Sequence, residues 1–407
     1  MEILLLANKV PYPPTDGGAF ASLNMALGLS ENGANVTVLA MSTPKHPTTS
    51  KDIPSHITSK IKFFIVFVDT SLSVLKALFN LLFSRKAYNA QRFISKEYRI
   101  NLESILLSKR FDLVQLEGLY LDPYIDSIRR FHKGPIAYRA HNVEHEIWER
   151  NASIQENPLK KWYFNILSKR IKYQEYAILK KIDILVAISK RDAAILESMG
   201  YNGPVHVSPT GYIFDNSACS DIAFEYHSIF HLGGLDWLPN QEGIIWFLDN
   251  CWDSISKAVP NAKFYIAGRN APPIFVSRIE NYPNVIYCGE VENSTSFIQS
   301  KGIMIVPLLS GSGMRIKIVE GMSLGKAILT TSIGLEGIDA MDGKHILVAN
   351  TIDDFSTKAV ELLNNKDLAV EIGHNAKEFA SGNLNNFNIT NSLCSFYSEF
   401  IGNSISE

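Results

Sequence analysis

Cysteine is scarce in this 407-residue chain: there are four, Cys219, Cys251, Cys288 and Cys394, and no C-x-x-C pair. That scatter suggests neither a zinc site nor a redox pair. No apolar run reaches the roughly 20 residues that a membrane-spanning helix needs. The apolar opening Met1–Ala7 is too short for a signal segment and meets Lys9 and a proline cluster at once, so it reads as a buried first strand. No Asp-x-Asp triplet, internal repeat or low-complexity tract occurs. The chain therefore reads as an ordinary globular protein of a reducing cytoplasm.

What is present suits two domains. An apolar share of 46% and a charged share of 20% are average, and 407 residues exceed one compact core. The net charge of −2 hides an asymmetry: residues 1–215 carry 27 Lys+Arg against 20 Asp+Glu, the rest 12 against 21. A basic first domain suits anionic lipid headgroups or a phosphorylated acceptor; equally, opposite charges could help the domains close.

Strands are expected at Ile3–Ala7, Val36–Ala40, Ile61–Val68, Phe111–Glu117, Pro135–Arg139 and Ile184–Ile188. Helices are expected near Ala19–Asn32, Tyr124–Phe131 and Lys190–Met199, with a long basic helix over Ser153–Lys181. Further on, strands Ser228–Leu232, Phe264–Ala267, Val285–Tyr287, Ile328–Thr331 and Ile346–Val348 alternate with helices Asn240–Ser256, Thr295–Gln299, Ile352–Leu363 and Ile389–Ile401. Such alternation predicts α/β architecture with doubly wound parallel sheets.

The segment Ser310–Ile338 is the most informative. Gly311, Ser312, Gly313 and Met314 follow the apolar run Ile303–Leu309, and a helical pattern then begins with Ile316, Val319 and Met322. A glycine turn opening into a helix offers free N–H groups to an anion. Arg315 and Lys317 add positive charge beside it, and Glu320, further into the helix, is placed to accept from ribose hydroxyls. The plainer reading is a turn followed by a solvated face.

This segment resembles the C-terminal signature of the retaining GT-B glycosyltransferases of family four, also called group 1. Pro11–Gly18 with Gly33–Val38 is similar to that family's opening unit. Val207–Gly211 resembles its linker, and Gly233–Phe247 the first strand and helix of its second domain. Many members carry two glutamates with seven residues between them. Glu320 matches the second, but Ser312 stands at the first, as in a subset with a Gly-x-Gly-x-Arg-x-Lys turn.

The resemblance implies a GT-B fold, two Rossmann-like domains facing a cleft. The first domain would cover 1–215 plus a C-terminal helix at about 387–407 that crosses back to it, and the second 216–386. It implies sugar transfer with retention from a nucleotide-diphosphate donor to a glycan or lipid-linked acceptor, in surface polysaccharide or glycolipid assembly. No cofactor, metal or nucleic acid is expected. The alternatives are a binding or scaffold protein that keeps the fold without transfer, and a nucleotide-sugar epimerase.

His141, Arg315 and Lys317 would be catalytic. Gly311, Ser312, Gly313, Met314, Glu320 and Arg269 would bind donor. Gly17, Gly18, Asn142 and Glu144 would serve the acceptor or phosphate. His141-Asn142-Val143-Glu144-His145 also spells a zinc-protease pattern, but that pattern needs a helix, and His141 follows a strand. Asn142 could cap the next helix, and Asn240 reads as packing and capping. Ser73–Arg85, apolar with flanking Lys76, Lys86 and Arg92, reads as a helix packed on the first core. The second reading is a membrane-interface helix in peripheral contact with the inner membrane.

Overall fold

The computed structural model describes residues 1–84, 86–153, 155–214, 224–311 and 313–406. The chain forms two compact units, Met1–Gly211 with Asn386–Glu407, and Tyr212–Asn385.

The first unit holds seven parallel strands: β1 (Glu2–Ala7), β2 (Asn35–Ser42), β3 (Ile61–Phe67), β4 (Leu113–Glu117), β5 (Ile136–Ala140), β6 (Ile184–Ala187) and β7 (Val205–Val207). Their order is β3-β2-β1-β4-β5-β6-β7. A parallel sheet covered on both faces needs apolar residues on both, and β1 supplies them. Leu4 and Leu6 enter one core, Ile3 and Leu5 the other. Strand order reverses at β1 and β4, where an open α/β sheet offers a crevice beyond its strand ends.

The second unit repeats the plan with β8 (Glu225–Leu232), β9 (Lys263–Ala267), β10 (Val285–Gly289), β11 (Lys301–Val306), β12 (Ile328–Thr330) and β13 (Leu347–Val348), ordered β10-β9-β8-β11-β12-β13. Here Ile303 and Ile305 face one core while Met304 and Val306 face the other. The reversal falls between β8 and β11.

The structure refines or adds to the sequence reading at four places. The long helix expected over Ser153–Lys181 is present as the second of two helices, Glu144–Ser153 and Pro158–Leu179. The second starts where Asn157 Oδ1 accepts from the amides of Leu159 and Lys160, with Pro158 in the first turn. Val205–Val207 runs into the expected linker yet pairs with β6 as an edge strand. The Lys366–Asn383 helix was not anticipated; its buried positions Ile372, Gly373, Ala376 and Ala380 are mostly small and give a weak apolar signal. Finally, the Val74–Phe83 helix is not packed on the core: Asn80 is its one buried residue.

The Asn386–Ser406 helix belongs to the first unit. Its Asn386 Nδ2 donates to Asn24 O at 2.8 Å, and Asn24 Nδ2 donates to Gly211 O at 2.8 Å. Gly28, on the Gly17–Glu31 helix, permits the close approach: a Cβ there would lie 2.5 Å from Thr390 Oγ1. Gly28→Val is expected to cost the first unit about 2 kcal/mol by overpacking, read as a lower thermal midpoint and faster proteolysis within 386–406.

Candidate functional site

Each unit gathers polar side chains at the C-terminal ends of its strands. In the second unit the assembly starts from a histidine. His231 ends the apolar stretch of β8 and is fully buried. Its Nδ1 lies 3.0 Å from Ile305 O on β11, so Nδ1–H donates there and Nε2 keeps its lone pair. Lys317 Nζ donates to that Nε2 at 3.1 Å and to Asn240 Oδ1 at 2.8 Å. Burial, then the charge of Lys317, drive the His231 pKa well down, so the ring is neutral. Burial, helped by neighbouring Arg315, lowers the Lys317 pKa to about 7.

Asn240 therefore does more than pack: its Nδ2 donates to Gly234 O at 2.7 Å while its Oδ1 holds the lysine. Gly233 makes room, since a Cβ there would lie 2.4 Å from Lys317 Nζ. Arg315, which the plainer reading would set on a solvated face, is only 5% exposed. It donates to Gly313 O and stands over the Trp237 ring at 5.7 Å. Gly311 takes φ +111°, a left-handed conformation that favours glycine, and a Cβ there would press on Trp237 and Arg315 at 3.1 Å. Gly337 packs closely against Met314.

Glu320 follows Lys317 by three residues on the Ile316–Ser323 helix. Ser294 Oγ donates to its Oε1 at 2.7 Å, and burial raises its pKa. Arg269 O accepts from Leu235 N at 2.9 Å, which puts that residue beside the Gly233–Gly234 turn. The structure thus brings Gly311, Gly313, Met314, Arg315, Lys317 and Arg269 to one end of the β9-β8-β11 ladder, with Glu320 beyond. Ser312 lies outside the described residues.

In the first unit a residue that sequence reasoning missed is central. Glu117 closes β4 and is buried. Its Oε2 accepts from Ser22 Oγ at 2.7 Å, His141 Nε2 at 2.8 Å and Arg139 Nη1 at 3.0 Å. Its Oε1 accepts from Gln115 Nε2, and Gln115 Oε1 accepts from Tyr397 Oη at 2.6 Å. Burial pushes the carboxyl up, but the Arg139 charge and the His141 and Ser22 bonds outweigh it and bring the pKa to about 2. Burial lowers the His141 pKa, partly offset by Glu117. A signal existed: Gln115 and Glu117 alternate on one face of an otherwise apolar strand, and Glu117 pairs in register with Arg139.

Asn142 does not cap the next helix. Glu175, from the Pro158–Leu179 helix, takes that place, accepting from Glu144 N at 2.6 Å and His145 Nδ1 at 2.5 Å. The Glu144 carboxyl accepts from Tyr120 Oη at 3.3 Å, and burial and the Glu175 charge raise its pKa to about 7. Gly17 and Gly18 are the first residues of a helix rather than a loop, with Asp16 Oδ1 capping Ala19 N at 2.9 Å. A Cβ at Gly18 would lie 2.9 Å from Lys9 Nζ, which bonds Asp16, while Gly17 faces open space.

Residues 226–365 match the family model of the glycosyl transferases group 1. Over 404 residues the chain is 24% identical to an uncharacterised 44.6 kDa protein in the cps region of Klebsiella pneumoniae, covering 96% of this chain and 98% of that one. Among solved structures, Anabaena HepE in complex with UDP is similar at a TM-score of 0.66 and 12% identity, covering 98% of this chain and 100% of that chain. Sucrose-phosphate synthase from Thermosynechococcus elongatus gives a TM-score of 0.71 at 12% identity, covering 99% and 100%. These structural likenesses show the GT-B fold.

Because Glu117 is held at a pKa of about 2, below its ordinary 4.5, its stabilisation is full above pH 4.5 and is lost as pH falls toward 2. Glu117→Gln is expected to destabilise the first unit by about 3 kcal/mol at pH 7. The gap to wild type should narrow steadily in chemical denaturation series run from pH 5 down to pH 3.

Proposed function

We propose that this chain transfers a sugar, with retention, from a nucleoside-diphosphate sugar to a glycan or lipid-linked acceptor in surface polysaccharide or glycolipid assembly. The observation that carries the reading is the buried Lys317, held by His231 and Asn240 at the mouth of a glycine turn. A buried ammonium with a pKa near 7 invites an anion, and a diphosphate is the anion this turn suits. HepE's complex with UDP and the cps-region relative support the same direction.

Within this reading, Lys317, Arg315 and the backbone amides of Gly311, Gly313 and Met314 neutralise the departing diphosphate without a metal. Glu320 accepts from ribose hydroxyls, exchanging its bond from Ser294 for them. Arg269, at the end of β9, faces the nucleotide. His141, oriented through Nε2 by Glu117, presents its other nitrogen to sugar or acceptor. Gly17, with open space before it, and Gly18, beside Lys9, serve phosphate or acceptor at a helix start. The bond broken joins the anomeric carbon to phosphate, and the bond formed joins it to an acceptor oxygen, whose proton leaves with the diphosphate. Ser312, in place of a glutamate, favours a binding role without transfer as the second reading.

The test is calorimetric titration of UDP, GDP and ADP, with and without EDTA, followed by donor turnover with acceptor extracts. One diphosphate is expected to bind regardless of EDTA. Lys317→Ala should weaken that binding about tenfold to a hundredfold, and Glu320→Ala about tenfold. Arg315→Ala should lower turnover. Wild-type behaviour in all three variants would remove the assignment, and binding without turnover would favour the second reading.

The pH dependence follows from Lys317. A bound diphosphate raises its pKa above 7, so binding at higher pH takes up a proton. Affinity should fall by up to about tenfold per pH unit above pH 7.5. Lys317→Arg should flatten that slope.

A further inference from the structure

The Val74–Phe83 helix is built inside out. Its one buried residue is the polar Asn80, while Leu72, Val74, Leu75, Leu78, Phe79, Leu82 and Phe83 are exposed, each by half or more. Single exposed apolar residues are ordinary, but seven within twelve residues mark an interaction surface. Polar contacts fasten the helix at its inner face. Arg170 donates to Asn80 Oδ1 at 3.0 Å and to Leu81 O at 2.9 Å. Asn80 Nδ2 donates to Gln91 Oε1 at 2.7 Å, and Tyr88 Oη accepts from Ser73 N at 3.0 Å. This fastening holds the apolar side outward.

The charge pattern says what covers it. From Thr70 to Lys96 there is no Asp or Glu, and there are five cations: Lys76, Arg85, Lys86, Arg92 and Lys96. Lys76, Lys86 and Lys96 are exposed. The helix of Arg170 adds exposed Leu159 and Trp162 beside Lys160 and Lys161 at its start. Leu159 precedes Arg170 by eleven residues, three turns, and so lies on the same stripe of that helix.

We propose that this surface docks the protein on an anionic lipid bilayer, the Val74–Phe83 helix lying in the interface with Leu75, Phe79 and Leu82 in the acyl boundary and the lysines among headgroups. At about 15 Å the helix is half the thickness of a hydrocarbon core, which suits lying in the interface rather than crossing. Among the described residues no helix is long and apolar enough to cross a membrane. A second copy of the chain fits less well, because symmetric pairing would set one cation-rich surface against another. The proposal stands apart from the transferase reading and draws on none of its residues.

The test is sedimentation of the full chain with vesicles of phosphatidylcholine alone and of phosphatidylcholine mixed with phosphatidylglycerol. The wild type is expected on the mixed vesicles only, and raised salt should weaken it. Leu75→Ser with Phe79→Ser should lower partitioning by about tenfold or more, with an unchanged thermal midpoint because both side chains are exposed. Lys76→Glu should lower it by about fivefold or more. No partitioning, equal partitioning onto both vesicles, or unaltered binding by the double variant would overturn the proposal. So would a dimer in light scattering that the double variant dissolves, which would make the surface a self-association face.

Discussion

A carboxylate taken out of water must be answered by donors or it takes up a proton. Glu117 is such a group, and the first unit is arranged around answering it. Its partners come from across the unit: Ser22 from the Gly17–Glu31 helix, Arg139 from the neighbouring strand, His141 from beyond that strand, Gln115 from its own strand. Tyr397 reaches the same network from the Asn386–Ser406 helix. Each bond fixes one element against the β4 terminus. The ring of His141 is oriented as a by-product of satisfying the charge. A positioned histidine and a stable sheet end are here one requirement.

The second unit solves the opposite problem. Among the described residues the buried Lys317 ammonium has no carboxylate partner and is held by a neutral imidazole and an amide oxygen. Burial, and then the Arg315 charge, weaken the lysine's hold on its proton. The same features that make Lys317 poor as a structural element make it suitable for an anion that arrives and leaves. Asn240 and Gly233 then acquire reasons beyond capping: one steers the ammonium, the other leaves it space.

Much of the fold was legible because buried parallel strands such as β1 and β11 are short apolar runs that alternate with helices. Legibility failed where the physics is non-local. The carboxyl of Glu175 caps a helix some thirty residues earlier, and no local pattern announces that. The small buried face of Lys366–Asn383 hides a helix of 18 residues. Val74–Phe83 misled in the other direction, since an apolar period says which residues share a face but not whether that face is inward. At the site, the glycine turn and its cations could be read from spacing. The burial of Arg315, the bond from Ser294 to Glu320, and the place of Glu117 could not, because each depends on elements far apart in the chain.

The Asn386–Ser406 helix gives the molecule an order of assembly. During synthesis the whole of Tyr212–Asn385 emerges before Asn386 and Tyr397 do. The second unit is therefore complete in sequence while the first still lacks the helix that seats against Gly28 and the hydroxyl that completes the Gln115–Glu117 chain. The earlier-made half of the protein is the later one to finish. A chain ending between residues 386 and 396 would carry the whole second unit and a first whose buried carboxylate network is still open.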